Sequence, residues 1–461
     1  MRSCCAPRNT CIASRRTRSD MRPLLCLMIV AGLASAQSWT TWRGSDGLGV
    51  SRDGNPPTEW SEEKNVRWKT ELPGNGSSSP VVWKDRIYVT CAVETERVGE
   101  PTGKPTGRSR RGRGRGRGGF GNPAFPTHYF EFLVVALDRK TGKIAWRVKV
   151  ADEIPHEGKG HKDTSYAAPS PITDGERVYA HFGSRGLYCV DLSGKVLWSK
   201  KLGQTSTIFR FGEGSTPVLH GETLVVNWDH EGESFVVAFD KTTGKELWRT
   251  ERRQGTTWAS PAVAQVKGKV QVVIPGPKRS IAYDLNTGKE LWSCGGMTRS
   301  CVPTPVVVNG ICYIMSGFMG AVLQAIDIGS AKGDIGDTSS LRWVHKRGTS
   351  YVPSPLVYDG FLYFFRVNTG TLSCIDATSG EVHYQGKRTG LRTVYASPVG
   401  AGGRVYLTGQ EGAFKVLKLG KTFTELASNS LDDIFDASPA VVGDALYLRG
   451  RNNLYCIAEE E

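Results

Sequence analysis

The chain has 461 residues, 59 Lys and Arg against 45 Asp and Glu, a net charge of +14, and 55 glycines. Glycine at about 12%, against about 7% in average chains, together with 12 tryptophans excludes a collagen or a wholly disordered chain and points to a turn-rich protein with apolar material for large cores. The basic excess is local: residues 1–36 carry +5 and residues 96–117 carry +6, which leaves +3 for the rest and argues against a domain-wide nucleic-acid surface.

In chain order, Met21-Arg22-Pro23, an apolar stretch from Leu24 to Leu33, and Ala34-Ser35-Ala36 have the charged, apolar, small-residue order of a secretory signal. We expect residues 1–36 to be removed, with Met21 a candidate true start and the mature chain beginning near Gln37. No later run approaches 18 apolar residues, so no membrane span is expected after cleavage. An exported protein, periplasmic or held at the cell envelope, is the expectation. Seven of the 11 cysteines survive cleavage. Cys189, Cys374 and Cys456 share a repeat position filled elsewhere by Ala136, Ala238, Ala282 and Ala325, which predicts small buried residues. Cys294 and Cys301 are the one pair worth testing as a disulfide.

A Ser/Thr-Pro step into a short apolar strand recurs at Ser79-Pro80, Ser170-Pro171, Thr216-Pro217, Ser260-Pro261, Thr304-Pro305, Ser354-Pro355, Ser397-Pro398 and Ser438-Pro439. The proline intervals are 91, 46, 44, 44, 50, 43 and 41, and the low-complexity segment 94–127 accounts for most of the first. Within a unit, a tight turn such as Asp174-Gly175 leads to a second strand, a third strand ends in Asp, and a Thr-Gly-Lys-like turn precedes a fourth strand bearing Trp. Asp138 and Trp146, Asp240 and Trp248, and Asp284 and Trp292 stand eight residues apart. Four short antiparallel strands repeated eight times predict an all-β fold: one eight-bladed β-propeller over residues 37–458. Trp68, Trp146, Trp198, Trp248, Trp292 and Trp343 are expected to dock between blades. The last unit stops after its third strand, so the N-terminal strand around Trp68 should complete blade 8 and close the ring.

The A-x-D-x-x-T-G-x-x-x-W repeats resemble those of pyrroloquinoline-quinone-type (PQQ-type) propellers, a superfamily of quinoprotein alcohol dehydrogenases and of cofactor-free relatives such as BamB, the propeller of outer-membrane β-barrel assembly. The quinoprotein side of the resemblance implies a vicinal Cys-Cys over the quinone, a Glu/Asn/Asp calcium set and an Asp base. Here the adjacent cysteines are Cys4-Cys5, in the segment expected to be removed. The resemblance therefore implies a non-catalytic, BamB-like scaffold or protein-interaction module without cofactor. The alternative it leaves open is a PQQ- or metal-dependent periplasmic oxidoreductase, with PQQ and Ca²⁺ as its cofactors.

Strand parity puts the connectors into the first strands and the second hairpins on one face, where the candidate ligand or partner residues concentrate: Tyr166, Arg210, Glu213, Trp258, Arg299, Tyr351, Arg392, Tyr395 and Asp436. The aromatics before the Ser/Thr-Pro steps, Phe435 among them, could ring the channel mouth or fill the channel. With the Arg groups they would suit a planar anionic ligand or a peptide. Asp229, His230 and Glu231, with His156 or His161, form a weak candidate metal set without known ligand spacing. No catalytic residue is assigned. The expected partner is a protein or envelope component on this connector face. The run Arg108 to Gly119 marks 94–127 as a disordered Arg/Gly-rich insertion in blade 1, able to contact a polyanion.

Overall fold

In the computed structural model, residues 38–103 and 124–459 are described, and all of them belong to one compact unit, Ala36–Glu461. The expected signal segment, residues 1–36, and the core of the Arg/Gly run, residues 104–123, lie outside the described residues. Eight antiparallel sheets follow one another around an axis. Their innermost strands are Val81–Trp83, Ile172–Thr173, Val218–His220, Ala262–Val266, Val306–Val308, Leu356–Tyr358, Val399–Ala401 and Ala440–Val442. Each begins just after its Ser/Thr-Pro step.

The ring closes as expected. Val66–Glu71 pairs antiparallel with Asn453–Ile457, placing Trp68 opposite Cys456. Joining the two ends of the chain in one blade removes the open sheet edge. Burial follows position within the blade. The third strand of blade 3, Ser234–Asp240, is buried on both faces, whereas its outer strand, Glu246–Arg252, alternates exposed and half-buried residues.

Two belts tie the blades together. At the inner edge, the N–H of each step residue donates to the hydroxyl of the next blade's. Ser79 donates to Ser170, Ser170 to Thr216, Thr216 to Ser260, Ser260 to Thr304, Thr304 to Ser354, Ser354 to Ser397, Ser397 to Ser438 and Ser438 back to Ser79, all at 2.8–3.1 Å. The circuit is closed and runs in one direction. It explains the composition of the step: the proline that follows starts the strand, and the hydroxyl satisfies an N–H that faces the crowded axis, where an unpaired donor is costly.

At the outer edge, the indole N–H of Trp68, Trp146, Trp198, Trp248 and Trp343 donates to carbonyls of the following blade, Arg139, Leu192, Lys241, Leu285 and Thr378, at 2.8–3.1 Å. The receiving turn is built by its own motif. Asp240 Oδ1 accepts from Thr243 N and Thr243 Oγ1, both at 2.7 Å. Gly244, at φ +67°, then lies so close that a Cβ there would stand 2.8 Å from the Trp198 ring. Trp292 departs from the expected docking. After Asp327 the Thr-Gly turn is replaced by an insertion whose strand Gly333–Asp334 pairs parallel with the outer strand of blade 4. Trp292 is accordingly fully buried and donates to Gln271 Oε1 of its own blade at 2.7 Å.

Three further features differ from the sequence reading. The ladder of blade 1 enters the N-terminal end of the expected insertion, with Val98 opposite His128 just beyond its other end. Cys294 and Cys301 are free, buried thiols like the other five described cysteines. Residues 38–51 form a plug that crosses the end of the channel opposite the connectors. Trp39 bridges Val82 on the inner strand of blade 1, and Val50–Ser51 pairs parallel with that of blade 7. Between them Arg43, 2% exposed, donates to Pro398 O and Pro355 O at 2.8 Å each and to Leu48 O. Burial without a paired carboxylate pushes its guanidinium down to about 10. Gly49 is required beside it, because a Cβ there would stand 2.5 Å from Arg43 Cζ.

Candidate functional site

With one end plugged, the channel becomes a blind funnel of about 460 Å³ on the connector face. Trp42 forms its floor beside the eight belt hydroxyls. Its walls include Phe211, Trp258, Phe318, Tyr351 and Tyr395, with Phe318 and Tyr351 stacked at 4.8 Å. Expected residues that line it are Glu213, Trp258, Tyr351, Tyr395, Asp436 and His161. Others do not. Tyr166 sits behind the wall, its hydroxyl donating to Glu157 O, with Arg185 over its ring. Phe435 is 1% exposed and packs edge-on to Phe414 in the core. Arg210 lies over Phe125 and Arg299 over Phe209, while Arg392 is exposed outside the cavity.

Two arginines hold the funnel's three carboxylates. Arg451 donates to Asp163 at 2.6 Å and to Asp436 at 2.9 Å, and Tyr395 and Gln410 complete the two carboxylates. Burial pushes the Asp163 carboxyl up, but Arg451 outweighs it and holds the group below the usual range. This contact matters for shape. Asp163 belongs to the connector into blade 2, whereas Tyr395 and Arg451 belong to blades 7 and 8, so the connector straps across the mouth. Glu213 pairs with Arg185 and accepts from Ser184 N and Thr205 Oγ1 at 2.7 and 2.6 Å. Burial raises its pKa, yet Arg185 and the hydroxyls leave it net lowered.

The candidate metal set is not brought together. Asp229 is fully buried against Arg252, with Nε–Oδ1 at 2.8 Å. Glu231 caps Thr256 N and Oγ1, His230 serves Ser206 N and Glu233 O, and His156 meets Thr205 O. His161 lies 3.5 Å from Asp163, which Arg451 already holds. Among the described residues no group of three His, Cys, Asp or Glu could hold a metal ion.

These residues do not fit a calcium-bound, multiply carboxylated quinone. Among the described residues no Lys or Arg lines the cavity, its three carboxylates are each committed to an arginine, and the cysteines are separate and buried. Of the arginines on this face, Arg451 and Arg185 hold the cavity's carboxylates, and Arg210 and Arg299 lie over rings. The sequence reading missed Trp42, Phe211 and Phe318. The signal available for Trp42 was the unassigned Trp42-Arg43-Gly44 segment ahead of the first blade.

A family model described as outer membrane protein assembly factor BamB matches residues 131–385, more than half of the chain. Among solved structures, BamB from Moraxella catarrhalis is similar with a TM-score of 0.55 at 14% identity, covering 86% of this chain and 97% of that one. Quinohemoprotein alcohol dehydrogenase from Comamonas testosteroni gives 0.62 at 11% identity, covering 93% and 82%. A europium-containing methanol dehydrogenase gives 0.59 at 12% identity, covering 91% and 90%. At these identities the likeness is one of fold. No curated protein matches the sequence. The eight blades, their docking tryptophans and the family match together place the chain in the BamB family of PQQ-like β-propellers.

Proposed function

We propose that the protein is an exported, non-catalytic propeller that binds a protein of the cell envelope through its connector face. One observation carries this reading. Phe209, Met319 and Val367 stand at tips of this face, 39%, 74% and 41% exposed, and each has a positive φ, 56°, 55° and 52°. Large apolar residues are strained in that conformation, which Gly or Asn adopts cheaply, and here it holds much of their apolar surface toward solvent. Ile434 adds a fourth exposed apolar residue from the connector into blade 8. An apolar rim around charges that are already paired suits a protein surface. The BamB family membership supports a scaffold role, and the funnel offers no free carboxylate set for metal-assisted oxidation. No helix among the described residues is long and apolar enough to cross a membrane.

The test is site-specific photo-crosslinking in cells from positions 209 and 319, with position 247 on an outer strand as control. Both rim positions should capture the same envelope protein and the control should not. Identical products from all three positions, or none from the rim, would sink the reading.

A further inference from the structure

The funnel floor carries chemistry that partner binding at the rim does not use. All eight belt hydroxyls line the cavity and are at most 9% exposed. Each accepts a neighbour's N–H, and none has an acceptor for its own proton among the described residues. Eight O–H donors therefore surround the axis, placed to pair with acceptor oxygens of an occupant.

Two further properties narrow that occupant. Trp42, Trp258, Phe318 and Tyr351 offer flat apolar faces within the same cavity. Among the described residues no Lys or Arg lines it, and Arg451, shared by Asp163 and Asp436, with Arg185 on Glu213 offsets all but one of its three negative charges. An acyl chain would leave the hydroxyl protons unmatched, and a carboxylated aromatic would meet no cation. A pyranose has an apolar C–H face for the rings, oxygens around its edge for the donors, and no charge. The volume lies within the range of small-molecule sites, about 300–1,000 Å³.

We propose that the funnel binds an uncharged saccharide of one or two pyranose rings, laid against the aromatic walls with its oxygens toward the hydroxyl belt. This site is separate from the apolar rim, so one can fail without the other. The experiment titrates the purified protein with maltose, cellobiose and N,N′-diacetylchitobiose by calorimetry and tryptophan fluorescence, with digalacturonate and PQQ as charged probes. At least one neutral disaccharide should bind one-to-one. Trp42→Ala and Tyr351→Ala should each weaken it about tenfold, the loss of one aromatic contact, while Leu247→Ala, on an outer strand, should leave it unchanged. Thermal melting of each variant checks folding, and Tyr351→Phe, which keeps the ring, should retain binding if an alanine variant is unstable. Binding of the charged probes alone, no binding of any neutral disaccharide, or binding indifferent to the folded cavity variants would overturn the proposal.

Discussion

The inner and outer belts perform one task, joining blade to blade, under opposite constraints. The inner belt is unbroken over eight blades and uses only Ser and Thr. The outer belt is interrupted: Trp292 turns into its own blade, and Tyr384 packs edge-on to Phe423 where a tryptophan would dock. Near the axis the blades crowd, little beyond a hydroxyl fits, and an unpaired N–H has little water to turn to. At the periphery the blades diverge, the gap needs a large ring, and solvent can satisfy a carbonyl that loses its indole.

The largest expected effect lies where the outer belt departs from its own rule. Trp292→Ala should cost about 3–5 kcal/mol, as for a fully buried aromatic, and Trp248→Ala clearly less because that ring is only half-buried. Urea unfolding of both variants gives the comparison; equal losses would mean that burial does not rank these sites.

The inner belt should be less costly to cut but strict about chemistry. Ser260→Ala leaves the Thr216 N–H without its acceptor and should cost about 1–3 kcal/mol, whereas Ser260→Thr, the residue used at positions 216 and 304, should be nearly neutral. If alanine and threonine unfold at the same denaturant concentration, the belt is not a stabilising circuit.

Acid should act on the buried histidines of the connector face. Burial pushes His156, His181 and His230 below the usual value of 6.5, so each stays neutral in the folded state while the unfolded chain takes up protons. Stability is therefore full above about pH 6.5 and falls as pH drops below it, by at most about 1.4 kcal/mol per pH unit per histidine. His181→Asn should flatten the pH dependence of the unfolding midpoint; an unchanged slope would remove His181 from the account.

The smallest effect sharpens the view of the outer belt as a cover. Cys189 faces Trp198 across the strand pair, and burial pushes its thiol up to about 12. Native protein should resist a thiol reagent at all seven described cysteines, and Trp198→Ala should make Cys189 react first. Equal labelling of that variant and the parent would show that the ring does not shield it.

Much of this architecture was legible because it repeats. The Ser/Thr-Pro spacing gave eight blades, the Asp to Trp interval gave the docking turns, and Trp68 gave the closing strand. Parity alone put Trp258, Tyr351 and Tyr395 on the face where the funnel opens. Phe435 failed that rule because its connector turns the ring into the core beside Phe414 and Tyr455. The tips Phe209, Met319 and Val367 were illegible, since a positive φ on a large apolar residue leaves no mark in a sequence.

What the sequence determined by itself is the local, periodic part: strands, turns, blade count and the residue types of both belts, each set by contacts between near neighbours in one repeat or the next. The tertiary structure alone decided the site. Arg451 meets Asp163 across 288 positions, and Arg43 reaches carbonyls more than 300 residues away. These contacts occur once, outside the repeat, so no periodicity announces them, and they turn a channel into a blind funnel whose carboxylates are held by arginines.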